Sequence, residues 1–229
     1  MTIVLLYAFW VSSDQNLNFK YHISLIKAKL SRAICMLRTT KNLLTQKALK
    51  AVYYSLFHSH LIYCLPIWSS TSTSNLTKLI SLQKTAIRLI TNSRYNEHSE
   101  PLFKSCKILP FNLLVQFFNL QFMQKFKQGL LPQSFANTWT LNANRRTNHN
   151  LILRSNDDLY VPFTRLASSS KQPYVIMPKT WVDFQDETIK ILRDKSQFNS
   201  ALKKNFLNQL SETIQCNRLL CPSCHLFTS

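Results

Sequence analysis

Gly129 is the single glycine in a chain of 229 residues, and that scarcity removes whole classes of chemistry. Glycine-rich phosphate loops, dinucleotide fingerprints and the nucleophile elbow of serine hydrolases all need glycine where backbone meets ligand or turns sharply. A turn-rich all-β fold is disfavoured for a related reason, since tight hairpins draw on glycine for positive φ. Acidic residues are scarce too, ten Asp plus Glu against 28 Lys plus Arg. None lies between Asp14 and Glu97, a stretch of 82 residues that carries twelve Lys or Arg. The six cysteines (Cys35, Cys64, Cys106, Cys216, Cys221, Cys224) are too scattered for a disulfide framework in a chain of this length. Cys35, Cys64 and Cys106 sit in apolar contexts and read as buried thiols. Met1 to Trp10 is apolar but lacks the basic start and cleavage site of a secretory signal. It reads better as a strand broken off a larger sheet, and an intracellular setting, nuclear or cytoplasmic, is expected.

What is present points to helices. The most apolar run is Thr45 to Trp68, which Thr45 can cap and no Gly or Pro interrupts before Pro66. Leu49, Val52, Leu56, His60 and Tyr63 follow a spacing of three or four. Tyr53, Tyr54, Phe57, Leu61 and Ile62 widen that stripe until it nearly encircles the helix. Such a helix belongs in the middle of a bundle or in a membrane. Lys47, Lys50, His58, Ser59 and His60 within it favour the bundle, because spanning needs about 20 mostly apolar residues, and no membrane partner is expected. An earlier helix is predicted over 19–40, with Ile23, Ile26, Leu30, Ala33 and Leu37 as its apolar stripe and Lys20, Lys27, Arg32 and Arg38 off it. A third is predicted from Ser74, as cap, to Thr91. Leu76, Leu79, Ile80, Gln83, Ala86, Ile87 and Ile90 make its buried face, and Lys78, Lys84 and Arg88 stand among Thr77, Ser81 and Thr85 on the other side. Ser99-Glu100-Pro101 starts a short helix to Cys106. A further helix runs from Phe111 to Gln128, stopped by Gly129. Its Phe117, Phe118, Phe122, Met123 and Phe126 read as a core or docking face rather than as a base-stacking platform.

Net charge is +18. A basic surface of one sign repels itself, so a polyanion is its natural partner; the plainer alternative is a basic face that only solubilises. Lys and small hydroxylated residues together suit phosphate oxygens.

The blocks also carry a resemblance. Leu49, Tyr53, Ser55, Leu56, Phe57, Ser59, Leu61, Tyr63, Cys64 and Trp68 fit the pattern that follows the polymerase palm in non-LTR (LINE-type, jockey/CR1-like) retrotransposon reverse transcriptases. Upstream, Asp14 to Ile23 is similar to that family's Asp-x-x-Leu-x-Trp-x-x-His-Ile, with Phe19 for Trp. Downstream, Leu82 to Ile90 resembles its Leu-Gln-(Lys/Arg)-x-(Ala/Cys)-(Ile/Val)-Arg-x-Ile, and Met177-Pro178-Lys179-Thr180-Trp181 its Gly-Pro-Lys-x-Trp, with Met for Gly. The resemblance runs from about Val11 to about Leu210. It implies a mainly α chain in these parts: residues 1–16 a remnant of the palm edge, 17–130 a thumb-like helical bundle, 131–178 an irregular linker with short strands, 179–210 two short helices, and 211–229 a Cys-containing tail. Within 131–178, Leu159 to Phe163 and Tyr174-Val175-Ile176 read as extended. The final helices are expected over Asp183–Asp194 and from Ser196, as cap, to Leu210, with Phe198, Leu202 and Phe206 as seam and Trp181 as a core plug.

Chemistry is the missing part. The family polymerises with two metal ions held by palm carboxylates, and magnesium belongs to the full-length enzyme. The one Asp-Asp pair, Asp157-Asp158, lacks the aromatic two places before it and follows the thumb-like helices instead of preceding them. No catalytic residue is therefore assigned, and the chain alone is expected to be inactive. Cys216, Cys221 and Cys224, with His225, contain half a zinc site at poor spacing. A terminus with free thiols is the favoured reading, and no cofactor is assigned. The expected function is template handling, with Lys27, Arg32, Arg38, Lys78, Lys84 and Arg88 contacting the phosphates of an RNA or DNA duplex without base readout, beside a palm domain that this sequence lacks. The alternatives are a domesticated helical interaction module docking through 111–128, and a non-functional remnant.

Overall fold

The computed structural model describes residues 19–142 and 159–212. It is mainly α, as the sequence indicates. In order, the elements are α1 (Lys20–Thr40), α2 (Gln46–Val52), a π-helical stretch (Tyr53–His58), α3 (Ser59–Ile62), α4 (Leu65–Trp68), α5 (Thr73–Thr91), α6 (Ser99–Cys106), α7 (Phe111–Lys127), a 3-10 turn (Gln133–Phe135), α8 (Ala167–Ser170), α9 (Pro173–Asp183), α10 (Glu187–Lys190) and α11 (Lys195–Glu212). Extended pairing among the described residues is limited to one isolated antiparallel bridge, Leu141 with Leu159. The predicted palm-edge strand at Met1 to Trp10, the polar basic Asn144 to Asn148 and the Cys-containing tail lie outside the described residues.

The apolar stripes fold α1 and α5 against each other, with the α2–α3 run lying across α1. Leu30 and Leu37 from α1, Leu79, Ala86 and Ile87 from α5, and Tyr53, Phe57 and Leu61 between them are closed to solvent. The core continues without a break into Phe103, Phe111, Met123, Trp181, Phe198 and Leu202.

The central run departs from the expectation in two ways. Its buried stripe is Leu49, Tyr53, Phe57, Leu61 and Leu65, a strict repeat of four, while His60 and Tyr63 are exposed and Leu56 is 37% exposed. A repeat of four drifts around an α-helix of about 3.6 residues per turn. Here the wider π turn over Tyr53–His58 takes up that drift and keeps the large side chains on one line. The helix also ends before Pro66, not at it. A proline ring clashes with the carbonyl four residues back, which is that of Ile62. The chain accordingly leaves the helix at Tyr63 (ψ 116°), passes through a left-handed Cys64, and seats Pro66 in the first turn of α4. The loosened Tyr63 carbonyl accepts the indole N–H of buried Trp68 at 2.7 Å.

An indole also serves a helix carbonyl in α9, where the structure corrects the sequence expectation. Tyr174, Val175 and Ile176 are helical, not extended, because Pro173 opens a helix whose Val175, Met177, Pro178 and Trp181 are buried against α7. Pro178 has no N–H for the carbonyl of Tyr174; Trp139 Nε1 donates to it instead, at 2.8 Å. Trp181 is buried and stacks on Phe198, as expected of a core plug.

Smaller corrections concern helix starts. Ser72, not Ser74, precedes α5. Asp194 caps α11 in place of Ser196, its carboxylate accepting from Gln197 N at 2.9 Å. Asp183–Asp194 contains a single helical turn, α10, capped by Asp186. Cys106 is buried but Cys35 is exposed, since Ala33, Ile34 and Leu37 take the inner face of α1 around it. Thr45 caps α2 as predicted, accepting from Ala48 N. Gly129 ends α7 at φ 66°, with Leu130 N reaching back to Lys125 O.

Candidate nucleic-acid interface

The six basic residues singled out from the sequence sit on the two long helices of the bundle, in unequal situations. Lys27, Arg32 and Arg38 are exposed on α1, and Lys78 is exposed on α5. No hydrogen bond or ion pair holds these four among the described residues. Lys84 and Arg88 are half-buried, one turn apart on α5. Arg88 is already engaged: its Nε and Nη2 both donate to the Glu97 carbonyl, at 3.0 and 2.8 Å, and so pin the turn after α5. The remaining guanidinium N–H groups are the only ones it can still offer a phosphate.

Helical phase sorts the rest. Lys27 and Arg38 are eleven residues apart, close to three turns at about 3.6 residues each, and share one flank of α1. Arg32 faces away from the core with Tyr21, Leu25 and Met36, which are 58%, 42% and 51% exposed. The outer side of α1 is thus apolar as well as basic, a point hidden by reading its charges alone. The hydroxyl groups on α5 also differ from expectation. Thr77 Oγ1 donates to Thr73 O and Thr85 Oγ1 to Ser81 O, at 2.9 and 3.0 Å. Their protons are spent on their own helix, so they have no proton to donate to a phosphate.

A second basic cluster lay beyond sequence reasoning because its members are far apart in the chain. Lys50 on α2 and Lys107 just after α6 both act electrostatically on Lys203 of α11. Burial first, then Lys50 and Lys107, hold the Lys203 ammonium below its ordinary pKa. Next to them His58 is pushed from 6.5 down to about 4, by burial and then by Lys203. The nearby Cys106 thiol is pushed up, chiefly by burial.

Comparison of the chain with protein-family models, with curated proteins and with solved structures finds no match.

The aromatic face of α7 is core, not a stacking platform: Phe122 meets Phe135 and Trp139 edge-on, and Phe126 meets Trp139 likewise. A cleft of about 250 Å³ is lined by His22, Ile26, Lys29, Ser59, His60 and Tyr63. Both imidazoles are held below their ordinary pKa, by burial and then by Lys29, and that ammonium opposes a metal cation there. Among the described residues no three His, Cys, Asp or Glu side chains converge as metal ligands, and no helix is long and apolar enough to cross a membrane. Asp157-Asp158 and the cysteines Cys216, Cys221 and Cys224 lie outside the described residues.

Proposed function

We propose that the chain is the thumb and post-thumb part of a non-LTR retrotransposon reverse transcriptase, and that the α1–α5 side of its bundle holds a primer–template duplex by its phosphates. One observation carries the binding half of this reading. The stretch with no acidic residue folds into α1 to α5 with Lys27, Arg32, Arg38 and Lys78 exposed and unpartnered among the described residues. Ammonium and guanidinium groups in that state gain most from a polyanion, and counterion release makes the gain salt-dependent. The order of the sequence blocks supports the family half. Catalysis would require palm carboxylates that this sequence lacks, so the chain would steady a duplex rather than extend it.

The test is duplex binding over a range of salt. Changing Lys27, Arg32, Arg38, Lys78, Lys84 and Arg88 to Gln should weaken binding to any sequence alike and reduce the salt slope by about one for each phosphate no longer neutralised. Unchanged affinity and slope would remove these residues from the interface.

A second reading is a protein-docking module, and exposed Tyr21, Leu25 and Met36 on α1 favour it. A palm-like domain is the occupant implied by the resemblance. Binding that ignores salt but is abolished on changing Leu25 and Met36 to Ser would select this reading over the first.

A further inference from the structure

The cleft of about 250 Å³ opens where α1 packs against α3. Sites for drug-sized ligands run to about 300–1,000 Å³, so this one admits a single ring or a short chain and not a whole nucleotide. Its lining divides by depth. His22 and Ile26, each 5% exposed, make the floor. Lys29, Ser59, His60 and Tyr63 are exposed and make the rim.

The floor holds an unmet demand. Nδ1 and Nε2 of His22 are both buried and without a hydrogen-bond partner. A neutral imidazole carries one donor and one acceptor, and leaving such groups unpaired out of water is costly. The neighbouring ring of Trp68, 6.2 Å away between centroids, cannot meet the demand, because its N–H is already given to the Tyr63 carbonyl. The rim adds a charge. Lys29 has no carboxylate paired with it among the described residues, and both helices of the cleft come from the stretch that has no acidic residue. Ser59 Oγ donates to Ser55 O, so its proton is spent. Leu25 lies one turn before Lys29 on the same side of α1 and extends the apolar rim outward.

These features select the occupant. A cation meets the Lys29 ammonium, a purely apolar group leaves the imidazole and the ammonium unpaired, and a phosphate dianion brings more charge than one ammonium offsets. We propose that the α1–α3 cleft binds a small organic acid, a free monocarboxylate on a ring or short alkyl chain, held by Lys29 and His22. The site goes beyond the duplex reading and does not rest on it. A carboxylate has two acceptor oxygens, one for the Lys29 ammonium in a charge-assisted bond and one for a His22 N–H. The apolar body would lie against Ile26 and Tyr63.

Benzoate is the probe, titrated calorimetrically into the full chain at fixed ionic strength. Benzamide keeps the ring without the charge, and inorganic phosphate keeps charge without the ring; both should bind at least tenfold more weakly than benzoate. Lys29→Met keeps the apolar stem at an exposed position and removes the ammonium. It should weaken benzoate about tenfold, as expected for losing a hydrogen bond between charged partners. His22→Phe keeps a ring on the floor but offers no donor, and should weaken benzoate by a similar factor. Lys20 is nine residues before Lys29 and so on the opposite side of α1; Lys20→Met should leave the affinity unchanged. Should His22→Phe fail to fold, Lys29→Met against Lys20→Met decides alone. Equal weakening by those two lysine variants would mean that benzoate senses only the net charge of the chain, and would overturn the proposal. So would benzamide or phosphate binding as tightly as benzoate, or a parent chain that binds no benzoate.

Discussion

Four residues other than glycine occupy the left-handed region among the described residues: Phe19, Cys64, Asn92 and Lys107. The scarcity of glycine therefore did not spare the chain such turns; it moved them onto side chains that cost about 1–2 kcal/mol more there, less for Asn. Each stands next to a helix end, where the geometry is over-determined by packing. His58 shows a different strain. It lies in the π-helical stretch, edge-on to Tyr54 at 5.1 Å, and titrates near 4 because burial and Lys203 oppose its charged form. The unfolded chain takes up this proton near 6.5, whereas the native chain does not until near 4. Between those values the unfolded state holds more protons, so stability falls as pH drops and levels off below the native value. His22 and His60, also lowered, push the same way. Denaturant unfolding at steps from pH 7 to pH 5 should show this decline, and His58→Phe, which keeps an aromatic ring beside Tyr54 but cannot titrate, should reduce it to what His22 and His60 contribute. A slope of full size in that variant would assign the effect to other groups.

At the scale of elements, the long amphipathic helices were legible and the breaks between them were not. A stripe such as Ile23, Ile26, Leu30 and Leu37 states its own helix, because the period is local. The place where the Thr45–Trp68 run ends depends on Ile62 four residues before a proline, and on an indole elsewhere in the chain that can take over from a missing N–H. Trp139 serves Tyr174 in this way, and Trp68 serves Tyr63, whose carbonyl the helix break leaves open. The candidate site divides similarly: charges on one helix could be read from spacing, while Lys50 and Lys107 act on Lys203 only through the fold. Gln121, Gln124 and Gln128 likewise bind α7 to Asn199, Leu192 and Arg193 across the chain. The Trp139–Tyr174 bond allows a sharp test. Trp139→Phe keeps the ring but orphans the Tyr174 carbonyl, and should cost about 1–3 kcal/mol. Pro178→Ala gives that carbonyl a helical N–H again. In the Pro178→Ala background the cost of Trp139→Phe should shrink, giving a coupling of about 1 kcal/mol in a double-mutant cycle. Strictly additive effects would mean that the indole N–H does not replace the one proline lacks.

For the whole molecule the decisive quantity is the excess of positive charge, +18 over 229 residues. Among the described residues, Asp186 and Asp194 cap α10 and α11 and Glu97 braces the turn after α5. The folded state brings the basic charges closer together than the unfolded chain does, so self-repulsion opposes folding. Salt acts on that repulsion directly: the screening length is about 30 Å at 0.01 M and about 8 Å at 0.15 M. Raising sodium chloride between those limits should therefore raise Tm. The same salt should weaken duplex binding, because the counterions that binding releases then gain less. Opposite responses of stability and affinity to one variable mark a surface that is stable in spite of its charge and uses it on a partner. A Tm that stays level or falls while binding weakens would mean that the fold already neutralises its basic side chains, and the excess charge would then be a matter of solubility alone.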